Sequence, residues 1–190
     1  MDVFMRPSKR QLVVDKATEL FSQYGFQAVG IDSIIEESNV ARMTLYRNFE
    51  GKDDLIRAVL EQRYAFIVDD ISDRLTRVDD PTARVKTIFD WYGAWFDTPE
   101  FAGCLFERAL AEFGPDHPQI SDVAIRYRRK ITDWMEELLV VLMPADAARK
   151  LAEVFIMLLD GATVEARASK SSASAGRAWA AALSLLSRDV

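Results

Sequence analysis

The chain has a single histidine and a single cysteine in 190 residues, and this scarcity removes several classes of function. A zinc site needs three or four imidazole and thiolate ligands, more than two such residues can supply. His117 stands in the turn GPDHPQ next to Pro118, where turn placement accounts for it without chemistry. Cys104 has no second cysteine to pair with, which agrees with a reducing compartment. As nucleophile and base the two would still lack a third, orienting group. No Gly-rich phosphate loop is present, so neither catalysis nor a cofactor is expected. Long hydrophobic runs are missing too, and the opening MDVFMRPSKRQL has no apolar signal core, so a cytoplasmic location is expected. Positive charge is also in deficit, with 24 Lys and Arg against 30 Asp and Glu and a net charge of −6. That balance argues only weakly against a nucleic-acid partner, because phosphate is bound by a local basic footprint and not by the average.

Hydrophobic residues make up 49% of the sequence and the mean hydropathy is −0.05, an ordinary globular composition. The most informative stretch is IDSIIEESNVARMTLYRNFEGK, residues 31–52. Ile31, Ile34 and Ile35 place an apolar stripe on a short helix, and Val40, Leu45 and Phe49 can pack against it from the other side. Asn39 falls at the bend, where a residue tolerant of positive φ is needed. Arg42, Met43, Thr44, Tyr46, Arg47 and Asn48 lie between the apolar anchors and predict an outward face. A helix-turn-helix of this kind sets its second helix in the major groove of DNA. Arg6, Lys9 and Arg10 before the first helix, with Arg42, Arg47 and Lys52 around the second motif helix, supply the local positive charge.

From Arg10 to Leu60 the chain resembles the TetR family of transcriptional regulators. The residues that carry the likeness are FSQYGF at the end of the first helix, the helix-turn-helix, and TLYRNFEGKDDL. Gly30 stands where the family usually has a helix-capping threonine, Ala41 where a serine is common, and Met43 where a small residue is frequent. Glycine remains an acceptable N-cap, so two hydroxyl contacts to phosphate are not carried over while the docking mode is. The resemblance implies an all-α protein with an N-terminal helix-turn-helix domain, residues 1–52, and a helical ligand-binding and dimerisation domain, residues 53–190. It implies a homodimer on a palindromic double-stranded operator, released as a repressor by a small hydrophobic or amphipathic effector. Tyr46 and Lys52 match family positions that contact phosphate. Arg42 and Thr44 are the candidates for base edges, Arg42 because a guanidinium reads guanine bidentately.

Helical periodicity runs through the rest of the chain, with no convincing strand. Leu12 or Val13, then Ala17, Leu20, Phe21 and Tyr24, recur at helical spacing up to a stop at Gly25. A helix of about 25 residues begins near Asp53, roughly 37 Å long at 1.5 Å per residue. Further starts are read at Asp80-Pro81, Thr98-Pro99 and His117-Pro118, from N-cap and proline signals, and the helix after His117 is expected to run to Met143-Pro144. Two more helices are expected at about 145–168 and 174–187, with SKSSASAG between them.

These last two helices are apolar on more than one side and must bury more than one side. A deep core within one subunit and a four-helix interface between two both satisfy that pattern. The resemblance implies the interface, with Phe155, Leu159, Trp179, Leu183 and Leu186 as its candidates. Between the long helix and this region, large side chains are dense. Such aromatic residues usually just fill a core, but they leave room for an apolar cavity, and the resemblance implies an effector pocket there, with Trp91, Trp95, Phe96, Cys104, Phe106, Glu107, Tyr127 and Trp134 as its candidate lining. A helical adaptor that binds another protein through its C-terminal helices is the competing function, and it would show no salt-dependent DNA affinity.

Overall fold

The computed structural model describes residues 7–187, so Arg6 of the candidate basic set lies outside the described residues. Among the described residues there are helices and no strand: α1 Lys9–Tyr24, α2 Ile31–Ser38, α3 Arg42–Asn48, α4 Lys52–Leu75, α5 Pro81–Phe96, α6 Leu105–Phe113, α7 Pro118–Leu139, α8 Ala145–Ser169 and α9 Ala173–Leu186, with a 3-10 turn Gly114–Asp116 before α7. No helix among them is long and apolar enough to cross a membrane.

Packing divides the chain into two compact units. The first comprises residues up to Tyr64 together with Cys104–Ile125, and the second comprises Ala65–Gly103 and Arg126 onward. A cut at 52/53 does not describe this division, because the first core takes in later residues. Leu55, Ile56, Val59 and Leu60 of α4 are fully buried, and Phe113 of α6 stacks on Phe26 with ring centroids 5.7 Å apart.

In the first unit, Ser8 caps α1 by accepting from the Gln11 N–H at 3.1 Å. The helix stops at Gly25, whose φ of +93° suits glycine, and a Cβ there would lie 2.8 Å from Glu112 Oε1. Phe21, Phe26, Ile34, Leu45 and Phe49 are at most 2% exposed, and burial stabilises each by about 1.5–3 kcal/mol. Tyr24, read as part of the apolar stripe, is instead 64% exposed.

In the second unit, α5 opens as expected, with Asp80 accepting from the Ala83 N–H at 2.7 Å and Pro81 at the first helical position. The start read at Thr98-Pro99 is not used. Thr98 turns back on α5, its N–H and hydroxyl both bonded to the Trp95 carbonyl. Gly103 then takes a φ of +101°, which a helix does not tolerate, and α6 begins at Leu105. The helix after His117 ends at Leu139, earlier than Pro144, in a turn closed by the Leu142 N–H to the Leu139 carbonyl.

Phe89 of α5 meets Phe155 of α8 and Trp179 of α9 at ring-centroid distances of 5.7 and 5.5 Å. The Ser174 hydroxyl at the start of α9 donates to the Ala162 carbonyl at 2.8 Å, tying α9 to α8 where both are buried.

Candidate nucleic-acid interface

The chain between Gly30 and Lys52 folds as its pattern dictates. Gly30 caps α2 in extended geometry with no side-chain bond, and Asn39 ends it in the left-handed region at φ 53°. Ala41 opens α3, also without a side-chain cap. Leu45, at 0% exposure, and Phe49, at 2%, anchor α3 inward. The remaining residues therefore point away from the core: Arg42, Met43, Tyr46, Arg47 and Asn48 are exposed and Thr44 is half-buried. Met43 at 65% and Tyr46 at 47% are large apolar bodies left in water with no internal reason to be there.

Several of these side chains are already held. The Arg42 guanidinium donates to Asp32 Oδ1 at 2.5 Å. The Asn48 amide donates back to the Thr44 carbonyl at 2.7 Å. Lys52, half-buried at the start of α4, reaches the Gln27 carbonyl at 3.4 Å. Lys9 is exposed in the first turn of α1. Arg10, noted with the basic group, stacks its guanidinium over the Phe49 ring at 5.1 Å.

A second set of contacts ties this region to α6. Glu112 of α6 accepts from the Phe26 N–H at 3.2 Å and the Gln27 N–H at 2.7 Å. Arg108, one turn earlier, donates to the Phe21 and Ser22 carbonyls at 2.8 and 3.2 Å. The end of α1 and the start of the turn after it are thus satisfied by a helix more than 80 residues away in sequence. Arg108 and Glu112 read as an ordinary i, i+4 helix pair, and no local signal says that they instead bond distant backbone.

The residues matched to an effector pocket do not share one unit. Cys104, Phe106 and Glu107 belong to the first. In the second, Trp91, Tyr92, Trp95, Phe96 and Phe101 form a continuous aromatic network with neighbouring centroids 5.0–6.0 Å apart. The Trp91 Nε1–H donates to Asp70 at 2.7 Å. The buried hydroxyls of Tyr92 and Tyr127 are hydrogen-bonded at 2.7 Å. Trp134 carries the Lys130 ammonium 4.4 Å above its ring.

The interface candidates need correction. Phe155 and Leu159 are at most 1% exposed and Leu186 is 5% exposed within a single chain, so they fill its own core and offer no surface to a partner. Trp179 is half-buried against Phe89. Leu183, at 41%, stays accessible. The outward face of α8 is a different one, with Met157 at 59%, Val164 at 63% and exposed Gly161 and Ala168. On α9 it holds Ala173, Gly176, Ala180 and Leu183. The signal was present as an i, i+4, i+7, i+11 spacing of small and apolar residues on α8, masked by the larger residues beside it.

Residues 7–59 match the family model described as bacterial regulatory proteins, tetR family. The crystal structure of a TetR-family transcriptional regulator from Streptomyces coelicolor superposes with a TM-score of 0.89 at 28% identity, covering 95% of each chain. Residues 7–59 are thus those of the TetR family, and the whole chain has the fold of a TetR-family transcriptional regulator. The proteins it resembles are transcriptional regulators and not enzymes. Among curated proteins, an uncharacterised HTH-type transcriptional regulator of Bacillus subtilis, YvkB, is 36% identical over 58 residues, which is 30% of either chain. The HTH-type transcriptional repressor DhaR of a Mycobacterium species is 26% identical over 118 residues, 62% of this chain and 57% of that one. The chain therefore spans under two thirds of each of these curated relatives. Among the described residues no group of three or more His, Cys, Asp or Glu is arranged to hold a metal ion.

Proposed function

We propose that this TetR-family protein is a homodimeric, ligand-responsive regulator that binds a palindromic operator and acts as a repressor released by a small hydrophobic or amphipathic effector. The observation that carries the DNA partner is α3, anchored inward by Leu45 and Phe49 and presenting Arg42, Met43, Thr44, Tyr46 and Arg47 outward. Arg42 and Thr44 take base edges, while Tyr46, Lys52 and Lys9 take phosphate. Twofold symmetry of the dimer then requires two half-sites on one face of the duplex.

The dimer is supported by the exposed faces of α8 and α9. Met157, Val164 and Leu183 are set among glycine and alanine, a surface two helices can approach closely, and water is a poor neighbour for it. The effector class is supported by the aromatic network from Trp91 to Phe101 beside the paired Tyr92 and Tyr127 hydroxyls, which offers apolar contact and a polar handle. An effector acts only through a difference in affinity for the DNA-competent and DNA-incompetent states. Selection of bound sequences from a random DNA pool tests the reading. Recovery of a palindrome is expected, and recovery of no preferred sequence overturns it.

A further inference from the structure

Asp32 is an exposed carboxylate in the first turn of α2, on the element that shares the helix-turn-helix with α3. Acidic residues favour that place because the helix dipole presents positive potential there. The dipole does not explain its partner. Asp32 Oδ1 accepts from an Arg42 terminal nitrogen at 2.5 Å, across the turn from one helix to the next, and the two side chains are 76% and 58% exposed. An exposed pair of this kind contributes little to folding. On a surface that faces DNA it carries a cost, since a duplex presents one phosphate charge per roughly 1.7 Å of axis and repels a carboxylate.

Arg42 presents five N–H donors in a rigid plane, and the bond to Asp32 engages one terminal nitrogen. Donors elsewhere on the plane suffice for the two acceptors, O6 and N7, of a guanine edge. A long side chain that would otherwise sample many rotamers is thereby held in one orientation, which lowers the entropy lost on reading a base.

We propose that Asp32 and Arg42 read one base pair of each half-site as a unit: the Asp32 carboxylate orients the Arg42 guanidinium toward guanine, so Asp32 sharpens discrimination there while opposing attachment to DNA in general. Asp32 is thus a specificity-determining residue that weakens non-specific binding. This inference rests on the regulator reading above, and the test separates the two.

Wild type, Asp32→Ala, Asp32→Asn, Arg42→Ala and the Asp32→Ala/Arg42→Ala double variant are each put through selection from a random pool. Each is then titrated by fluorescence anisotropy on the wild-type operator, on the operator with the one base pair changed, and on a random duplex. Asp32→Ala is expected to bind the random duplex about threefold more tightly, because a repelled charge is gone. It is expected to lose about tenfold in discrimination at that base pair. Asp32→Asn, which keeps an acceptor oxygen without the charge, should fall between. In the Arg42→Ala background, removing Asp32 should cost no further discrimination. Unchanged discrimination in Asp32→Ala overturns the proposal, as does equal tightening on operator and random DNA with the preference intact. A wild-type protein that selects no sequence at all overturns the regulator reading and this one with it.

Discussion

The helix-turn-helix and the α8–α9 pair use apolar side chains in opposite ways. In α2 and α3, which are 8 and 7 residues long, a few anchors such as Ile34 and Leu45 are completely buried, and the outward residues are polar or large. In α8 and α9, 25 and 14 residues long, the large side chains are mostly turned inward, and the outward face sets Met157, Val164 and Leu183 among Gly161, Ala168, Ala173, Gly176 and Ala180. The proposed function gives each arrangement a use: long side chains standing out from α3 can enter a groove, and small ones on α8 and α9 would let the backbones of a partner approach. On that proposal the conspicuous residues of the first region read DNA, while the largest ones of the second only fill its core.

The sharpest way to break this comparison is at Phe155. With 0% exposure and the Phe89 ring at its edge, Phe155→Ala is expected to destabilise the chain by about 3–5 kcal/mol, seen as a lowered midpoint in urea unfolding. A folded, equally stable variant with altered assembly would place Phe155 at an interface after all. The next test reverses the expectation. Val164→Glu, on the exposed face, should leave the unfolding of the monomer nearly unchanged while weakening association by about 3 kcal/mol, through a charge stranded at the contact. Sedimentation at micromolar concentration should then show monomers, and a wild type that is itself monomeric defeats the dimer.

At the reading head, Arg42→Ala is expected to lose about 1–3 kcal/mol on the cognate operator and to relax preference at one base pair per half-site. Lys52→Ala should weaken all sequences alike and flatten the salt slope. Equal factors on cognate and random DNA for both variants would erase the division between base and phosphate readers. The smallest effect compares the helix caps of the two units. Ser8→Ala and Asp80→Ala each remove a side-chain acceptor from a helix start, at 3.1 and 2.7 Å from the capped N–H. Each should cost about 1 kcal/mol, with the charged cap at Asp80 the larger, measured as shifts in thermal midpoint.

Much of this fold is legible in local signals. The stop at Gly25, the left-handed Asn39, the glycine cap at residue 30 and the Asp80-Pro81 start are each the consequence of one or two residues acting on their own backbone. Thr98-Pro99 shows the limit of such signals. The same pair that can open a helix here closes α5, because the chain beyond it bends at Gly103 and has no helical continuation. The outward face of α3 was legible as well, since polar residues between buried anchors must face outward. Asp32 was not, because its partner is ten positions away on another helix and no periodicity links them.

The sequence by itself determined that the chain is helical, that residues 31–52 form a helix-turn-helix, and which side of α3 is free to touch DNA. Those features depend on local backbone preference and on hydrophobic spacing within a single helix. Only the tertiary structure decided that α6 secures the α1–α2 turn through Arg108 and Glu112, that Phe155, Leu159 and Leu186 belong to the interior, and that Met157 and Val164 are left outside. A helix apolar on several sides can turn any of them inward. The choice among them is made by the helices it packs against, which lie far away along the chain.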